Sequence, residues 1–447
     1  MKNILPSIIG LFLWFGSNCG ATDWPTFLGP THNSVSTETD LLKEWTESGP
    51  PLLWEISTGS GYSSPSITES KLIYIHRIAN EEVVECLDAT TGKRHWKFAY
   101  PTDYEDRYGY SNGPRATPVI NEQRVYTFGT QGKLHCLDIE TGAVIWKHDL
   151  AVDYRLVTGF FGMGTTPLID DQLLIINVGA TDGPNVVAFD KVTGEVVWKT
   201  GDQWGASYAS PIPATVHGQK RIFVFAGGER RPPVGGLLSI NPENGNIDFR
   251  FPWRSKTYES VNASCPVIID NQVFVSASYK TGSALLNINP DFTHTVAWET
   301  KEVGLHFNTA IHKDGYLYGF DGRNKSDASL VCIELKTGNV VWREALTWTE
   351  QYKAQDQMRN ITLSPYRGSL LKVDNHFLCL GESGHLLWLD LSPTGPKILA
   401  RTWLFTASET WTPPVISNSL LYITQNRQDT LNKTSPRLLC YDLRNKN

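Results

Sequence analysis

The side chains of this sequence that could do chemistry stand in short segments, each running into a proline-led apolar stretch. Arg115 follows Gly113 and Pro114 and lies two residues before Thr117-Pro118. A guanidinium on so constrained a turn can grip a carboxylate through two parallel hydrogen bonds. Tyr62, Phe161, Tyr208 and Trp411 hold comparable places upstream of other proline-led stretches, and such rings can sandwich a flat ligand. Glu259, Asn262, His306, Asn308, Asn360 and Glu409 complete the set. A lone histidine such as His306 is more often a hydrogen-bonded structural group than a base or ligand. The expected binding residues are Arg115, Tyr62, Tyr208, Asn262, His306 and Trp411, with Glu259 or Asp321 as structural partners open to Arg115. No residue is expected to be catalytic or to bind metal. Nucleophile, base and orienting group do not cluster along the chain, and no His or carboxylate spacing matches a metal site.

What must position these residues is a repeat. CLDATTGKRHW ending at Trp96, CLDIETGAVIW ending at Trp146, AFDKVTGEVVW ending at Trp198 and CIELKTGNVVW ending at Trp342 share one register. Each reads as a strand, a turn at Thr-Gly where Gly supplies a positive φ, and a second strand carrying Trp. Upstream of the hairpins stand Ser64-Pro65, Thr117-Pro118, Thr166-Pro167, Ser210-Pro211 and Cys265-Pro266, with weaker copies at Thr309-Ala310, Ser364-Pro365 and Pro413-Pro414. Proline is tolerated there because it opens a strand. Eight repeats of four short antiparallel strands predict an all-β, eight-bladed β-propeller. The last repeat lacks its Trp-strand, and the unassigned PLLWEIS segment, Pro51 to Ser57, is expected to supply it and close the ring. Trp54, Trp96, Trp146, Trp198, Trp298, Trp342 and Trp403 are then the docking residues between blades, with Phe249 or Phe251 standing in for the fourth. They take up seven of the 15 Trp, a number that is otherwise hard to explain beside 3 Met.

Seven Cys invite a search for disulfides. Yet Cys86, Cys136, Cys332 and Cys440 fall on one strand position, occupied in other repeats by Ala188, Ser239, Asn287 and Trp388. Equivalent positions in different blades lie at least a sheet spacing of about 10 Å apart, beyond disulfide reach. Buried thiols are expected, and Cys265 and Cys379 lie on different strands of distant repeats.

The N-terminus reads as a secretory signal peptide over residues 1–21: Lys2, an apolar run from Ile4 to Phe15, then small residues up to Ala21. A lipoprotein anchor at Cys19 is the competing reading. Residues 22–50 form an arm and 51–447 the propeller. The resulting location is periplasmic or secreted, with no transmembrane span. A formal charge of -6 without a basic stripe argues against nucleic acid. Three insertions, Tyr100 to Tyr110, Glu229 to Pro233 and Trp348 to Arg359, are candidates for docking a partner, the first because of its four Tyr.

The Asp-x-x-Thr-Gly-x-x-x-Trp hairpins resemble the tryptophan-docking repeats of pyrroloquinoline-quinone-repeat propellers, over nearly the whole chain after the N-terminus. The opening Asp23 to Pro30 and the stretch Gly113 to Pro118 resemble secreted bacterial members of that group. The resemblance implies two functional branches, quinoprotein alcohol dehydrogenases and the non-enzymatic assembly factor BamB. The dehydrogenases carry adjacent cysteines over the quinone, and this chain has none. The leading expectation is therefore an exported, BamB-like binding scaffold without a cofactor, engaging an envelope protein or a small ligand at rim loops or channel mouth. The alternative is a quinone-dependent oxidoreductase holding pyrroloquinoline quinone with Ca²⁺, for which Glu259, Asn262 and Trp411 are the nearest donor set.

Overall fold

The Thr-Gly hairpin is a self-contained turn. In a computed structural model describing residues 22–156, 158–180, 182–229, 231–354 and 357–445, the Asp88 carboxylate accepts from the amides of Thr90 and Thr91 at 3.1 and 2.8 Å and from the Thr91 hydroxyl at 2.8 Å. The Thr90 hydroxyl, at 2.7 Å, and these bonds hold its pKa below the usual carboxylate range. Gly92 follows at φ +70° and returns its amide to the Asp88 carbonyl. The same bracket recurs at Asp138 and Asp190.

The strands so joined make eight four-stranded antiparallel sheets. Blade one comprises Ser66–Thr68, Lys71–Ile78, Glu81–Asp88 and Arg94–Pro101. Blade eight takes three strands from Val415–Ser417, Leu420–Gln425 and Arg437–Asp442, and its outer strand from Leu52–Ser57, which places Trp54 opposite Cys440. The ring thus closes with a strand from the other end of the chain, as the unassigned PLLWEIS segment predicts. First strands of neighbouring blades touch one another around the axis. The core lies between blades. Ile73 and Val84 of blade one, for example, pack with Val125 and Leu137 of blade two.

Six indoles reach from an outer strand to the next blade. The Nε1 atoms of Trp54, Trp96, Trp146, Trp198, Trp298 and Trp342 donate to the carbonyls of Ala89, Ile139, Lys191, Pro242, Leu335 and Ser392 at 2.7 to 3.2 Å. Five of these rings lie on the turn glycine of the next blade, so closely that a Cβ on Gly142 would stand 2.5 Å from Trp96. In blade four the register position opposite Ser239 belongs to Phe249, not Phe251, and its ring sits 4.4 Å from His294.

Blade seven departs from the expected pattern. Ala400, not Trp403, stands opposite Trp388, because the turn before this strand is built differently, at Ser392–Gly395. Trp403 instead bonds its own blade at Ser383 and stacks on His385 at 4.8 Å. Likewise Leu285, not Asn287, pairs with Trp298 and occupies the cysteine position of blade five. The six cysteines of the described residues are buried and free.

The segment after Thr22 crosses the end of the axis where the first strands finish. Trp24 bridges Ile67, and the Pro25 carbonyl accepts the Ile120 amide at 2.8 Å. Val35–Ser36 pairs in parallel with Lys372 and Val373 of blade seven, and the Glu38 carboxylate accepts the Ser419 amide at 2.6 Å. The apolar run and Cys19 lie outside the described residues. Among those described, no helix is long and apolar enough to cross a membrane.

Two outcomes are expected. Gly142→Ala, meeting both left-handed strain and the Trp96 ring, should cost about 2–4 kcal/mol in chemical denaturation. Gly315→Ala has φ +83° and open space around it, and should cost only the strain, about 1–2 kcal/mol. Burial also lowers the imidazoles of His76 and His135 to about 4 and that of His385 to about 3. The unfolded chain takes up protons below about pH 6.5 that these sites refuse, so stability is complete above that pH and falls as pH drops toward 4. Each contributes up to about 2 kcal/mol of loss between pH 6.5 and 5. Urea midpoints at pH 7 and 5 should show this decline, and His385→Gln should make it shallower.

Candidate functional site

A residue before proline is held extended, and at the mouth of this channel its amide always needs a partner. The Thr117 amide donates to Thr166 Oγ1, Thr166 to Ser210 Oγ, Ser210 to Cys265 Sγ and Cys265 to Thr309 Oγ1, at 3.0 to 3.3 Å. Blades three to six thereby each cap the blade before, which accounts for the small polar residue ahead of those strands and gives Cys265 a structural use. Side chains one to three residues upstream are fixed around the axis as a result.

There they enclose a cavity of about 320 Å³ that contains Tyr62, Arg115, Phe161, Tyr208, His306 and Trp411 in its wall. Trp411 lies 5.2 to 5.4 Å from Tyr62, Tyr110 and Phe307, and Phe161 lies 5.6 Å from Tyr208. The Tyr208 hydroxyl accepts the Phe161 amide at 2.8 Å. The Tyr62 hydroxyl reaches Glu409 at 3.2 Å, and Glu409 in turn takes Arg427 Nε at 2.7 Å. Burial, more than the nearby Arg367 and Arg323, lowers the His306 imidazole to about 4, so the ring is neutral at ordinary pH. Its Nδ1 and the Trp411 Nε1 are buried without a partner.

Three guanidiniums converge on this space. Arg115 does not pair with Glu259 or Asp321. Asp321 is taken by Arg343, and the Arg115 Nη2 meets the wholly buried Asp106 carboxylate at 2.8 Å while Nη1 donates to the Phe161 carbonyl at 2.7 Å. Asp106 also accepts the amides of Tyr108 and Ser111 at 2.9 and 3.1 Å. The tyrosine-rich insertion is thus folded over the mouth, and Tyr108 and Tyr110 line the cavity. Arg367 is held by both oxygens of buried Glu382 and lies 4.9 Å from the Trp411 ring. Arg323 sits at the rim over Tyr279 at 4.2 Å, and among the described residues no carboxylate pairs with it.

Three expected site residues lie outside the cavity wall, Glu409 behind Tyr62 and two elsewhere. Asn262 is 1% exposed and spends its amide on the carbonyls of Ala226 and Trp253 at 2.8 and 3.0 Å, tying blade four together; its neighbours Val261 and Ala263 face the cavity instead. Asn360 is exposed on a hairpin of Trp348–Ala354 and Gln357–Leu363 that projects between blades six and seven. Sequence reasoning missed Phe307, Arg323 and Arg367. Phe307 and Arg367 stand six residues before the end of their blades' first strands, the offset of Tyr62, Arg115 and Trp411, a signal hidden because blades six and seven lack the proline at the usual place; Arg323 lies outside the shared register. Among the described residues no three His, Cys, Asp or Glu side chains come together as a metal site would require.

Fold and site define an eight-bladed propeller with an aromatic, guanidinium-edged axial cavity. The chain belongs to the family described as outer membrane protein assembly factor BamB, whose profile matches residues 79–344. It is 30% identical over 156 residues to quinoprotein alcohol dehydrogenase PedH of Pseudomonas putida, 34% of this chain but 24% of that protein. It is 21% identical over 319 residues to the dehydrogenase subunit of the alcohol dehydrogenase (quinone) of Acetobacter aceti, 66% of this chain and 41% of that one. The chain thus aligns with less than half the length of these relatives. Quinohemoprotein alcohol dehydrogenase from Comamonas testosteroni has the same fold, with TM-score 0.61 and 13% identity, covering 96% of this chain and 82% of that one.

Asp106→Ala should free the insertion from Arg115. Amide exchange over residues 106–112 is expected to rise at least about tenfold, since breaking a buried ion pair removes several kcal/mol of local stability. Unchanged exchange would mean that Asp106 does not hold the mouth.

Proposed function

We propose that this protein is a non-catalytic binding propeller that takes a flat, negatively charged small molecule into its axial cavity. The observation that carries this reading is the convergence of Arg115, Arg323 and Arg367 on a space walled by Tyr62, Phe161, Tyr208, Phe307 and Trp411. Aromatic faces supply area for a conjugated ring at little entropic cost. Guanidinium forks supply directional bonds to carboxylates. Arg115 and Arg367 are already neutralised by Asp106 and Glu382, so they offer fixed donors, and Arg323 adds uncompensated positive charge at the entrance. Export through an N-terminal signal and residence in the cell envelope accompany this reading, supported by the apolar run of residues 4–15 and by the family description.

A quinone-dependent oxidation is the second reading, favoured by the likeness to PedH. Pyrroloquinoline quinone, a flat polycarboxylate, suits the rings and arginines. Its Ca²⁺ does not suit them, because the cavity wall holds Glu259 as its one carboxylate beside three guanidiniums. A protein partner is a further reading, supported by the family description and by the projecting hairpin, on which Met358 is 64% exposed.

Calorimetry with pyrroloquinoline quinone as the probe separates these readings. Micromolar or tighter binding that persists in excess chelator, and weakens about tenfold or more in Arg323→Gln, is expected from loss of one charge-assisted bond. Binding that requires added Ca²⁺ would favour the quinoprotein reading. Failure to bind would remove the small-ligand reading and leave the protein partner.

A further inference from the structure

Between Pro25, bonded to blade two, and Val35, paired with blade seven, the N-terminal arm crosses the axis, and midway its Phe27 lines the cavity. We infer that Phe27 is the closed end of this cavity and sets how far a ligand extends down the axis, an inference that rests on the small-ligand reading.

The arm is built to hold that ring still. Leu28, directly after it, is 5% exposed among side chains of blades four and five and has φ +63°, a conformation a bulky residue adopts only when its surroundings enforce it. The Leu28 carbonyl accepts the amides of Asn33 and Ser34 at 3.2 and 2.9 Å. Gly29, at φ +80°, lies under Trp24 with no room for a side chain, since a Cβ would stand 2.8 Å from the indole. Trp24 itself is 3% exposed and anchored to Ile67.

The charge of the cavity wall lies mainly in guanidiniums away from Phe27 in sequence, Arg115, Arg323 and Arg367. Arg115 and Arg367 stand level with Gly164 and Ala263, each six residues before the end of its blade's first strand, and Arg323 joins them from a loop, while Phe27 brings no charge to the wall. A flat ligand therefore points its anionic edge at the guanidiniums and its bare ring edge onto Phe27. Such an end wall discriminates by length, because an extra ring has nowhere to go.

The test uses two dianions with both carboxylates at one end, naphthalene-2,3-dicarboxylate and the longer anthracene-2,3-dicarboxylate, measured against the wild type, Phe27→Ala and the milder Phe27→Leu. Shortening residue 27 should tighten the anthracene at least about fivefold while the naphthalene changes less than about twofold. Parallel changes in both affinities would overturn the inference. Phe27→Cys gives a readout independent of ligand, since the six native thiols of the described residues are buried. An anionic methanethiosulfonate should modify the introduced thiol at least about fivefold faster than a cationic one, each relative to its rate with a free thiol, because the mouth is guanidinium-lined. An unreactive thiol in that variant, or no charge preference, would overturn the placement. If neither dicarboxylate binds the wild type, the small-ligand reading fails while the thiol experiment still decides where Phe27 lies.

Discussion

The fold rests on an indole laid on a glycine. A four-stranded blade has two apolar faces and cannot bury both alone, so it persists only with a neighbour at a fixed angle. The Trp-on-Gly contact sets that angle. The turn glycine is needed once for its positive φ and again because only a hydrogen leaves room for the ring, and the indole N–H then finds the carbonyl three residues before that glycine. One contact thus joins hydrophobic area, a satisfied donor and a backbone requirement. Where the sequence lacks the motif, something else fills the space. Phe249 meets His294 between blades four and five. Between blades seven and eight Trp45 from the arm packs 6.2 Å from Trp388, whose Nε1 donates to the Leu42 carbonyl at 3.2 Å.

Closure of the ring has a chemical consequence at its mouth. The capped pre-proline residues leave the segments upstream of the first strands of blades two to five little freedom, so Arg115 and Tyr208 stand on a rigid frame rather than on loops. The charges obey the usual cost of burial. Asp106 and Glu382 are wholly buried and each is matched by a guanidinium, because an unpaired buried carboxylate would be far more costly. Among the described residues Arg323 is the guanidinium at the cavity that no carboxylate pairs. The proposed preference for an anion over a cation rests on this uneven pairing, not on the net charge of the chain, which is negative.

How much of this was legible follows from what repeats. The Thr-Gly-Trp register recurs often enough to count blades and to assign Trp54 to the eighth across nearly the whole chain. Trp403 misled because a Trp near the expected offset carries no information about the bulge and turn that set register, and blade seven makes that turn differently. Mouth segments could be found from their prolines, but the direction of a side chain could not. Asn262 and its neighbours Val261 and Ala263 sit on one segment, yet the amide turns inward to carbonyls and its neighbours line the cavity. Asp106 and Arg323 lie outside the repeat, so only the folded chain brings them to Arg115 and Trp411.

The arm follows the same logic as the blades. It supplies Trp24 and Leu41 to the core shared by blades seven, eight and one, and Leu28 to that of blades four and five. Its departure would therefore expose apolar surface on both sides of the ring. Glu38 adds a polar constraint: 5% exposed, its carboxyl is pushed up by burial, and its bond to the Ser419 amide ties the arm to blade eight. A segment anchored at both flanks across the axis cannot leave by swinging on one hinge. The channel is consequently open at the mouth and obstructed at the other end, which makes the axis of this propeller a pocket with a front and a back.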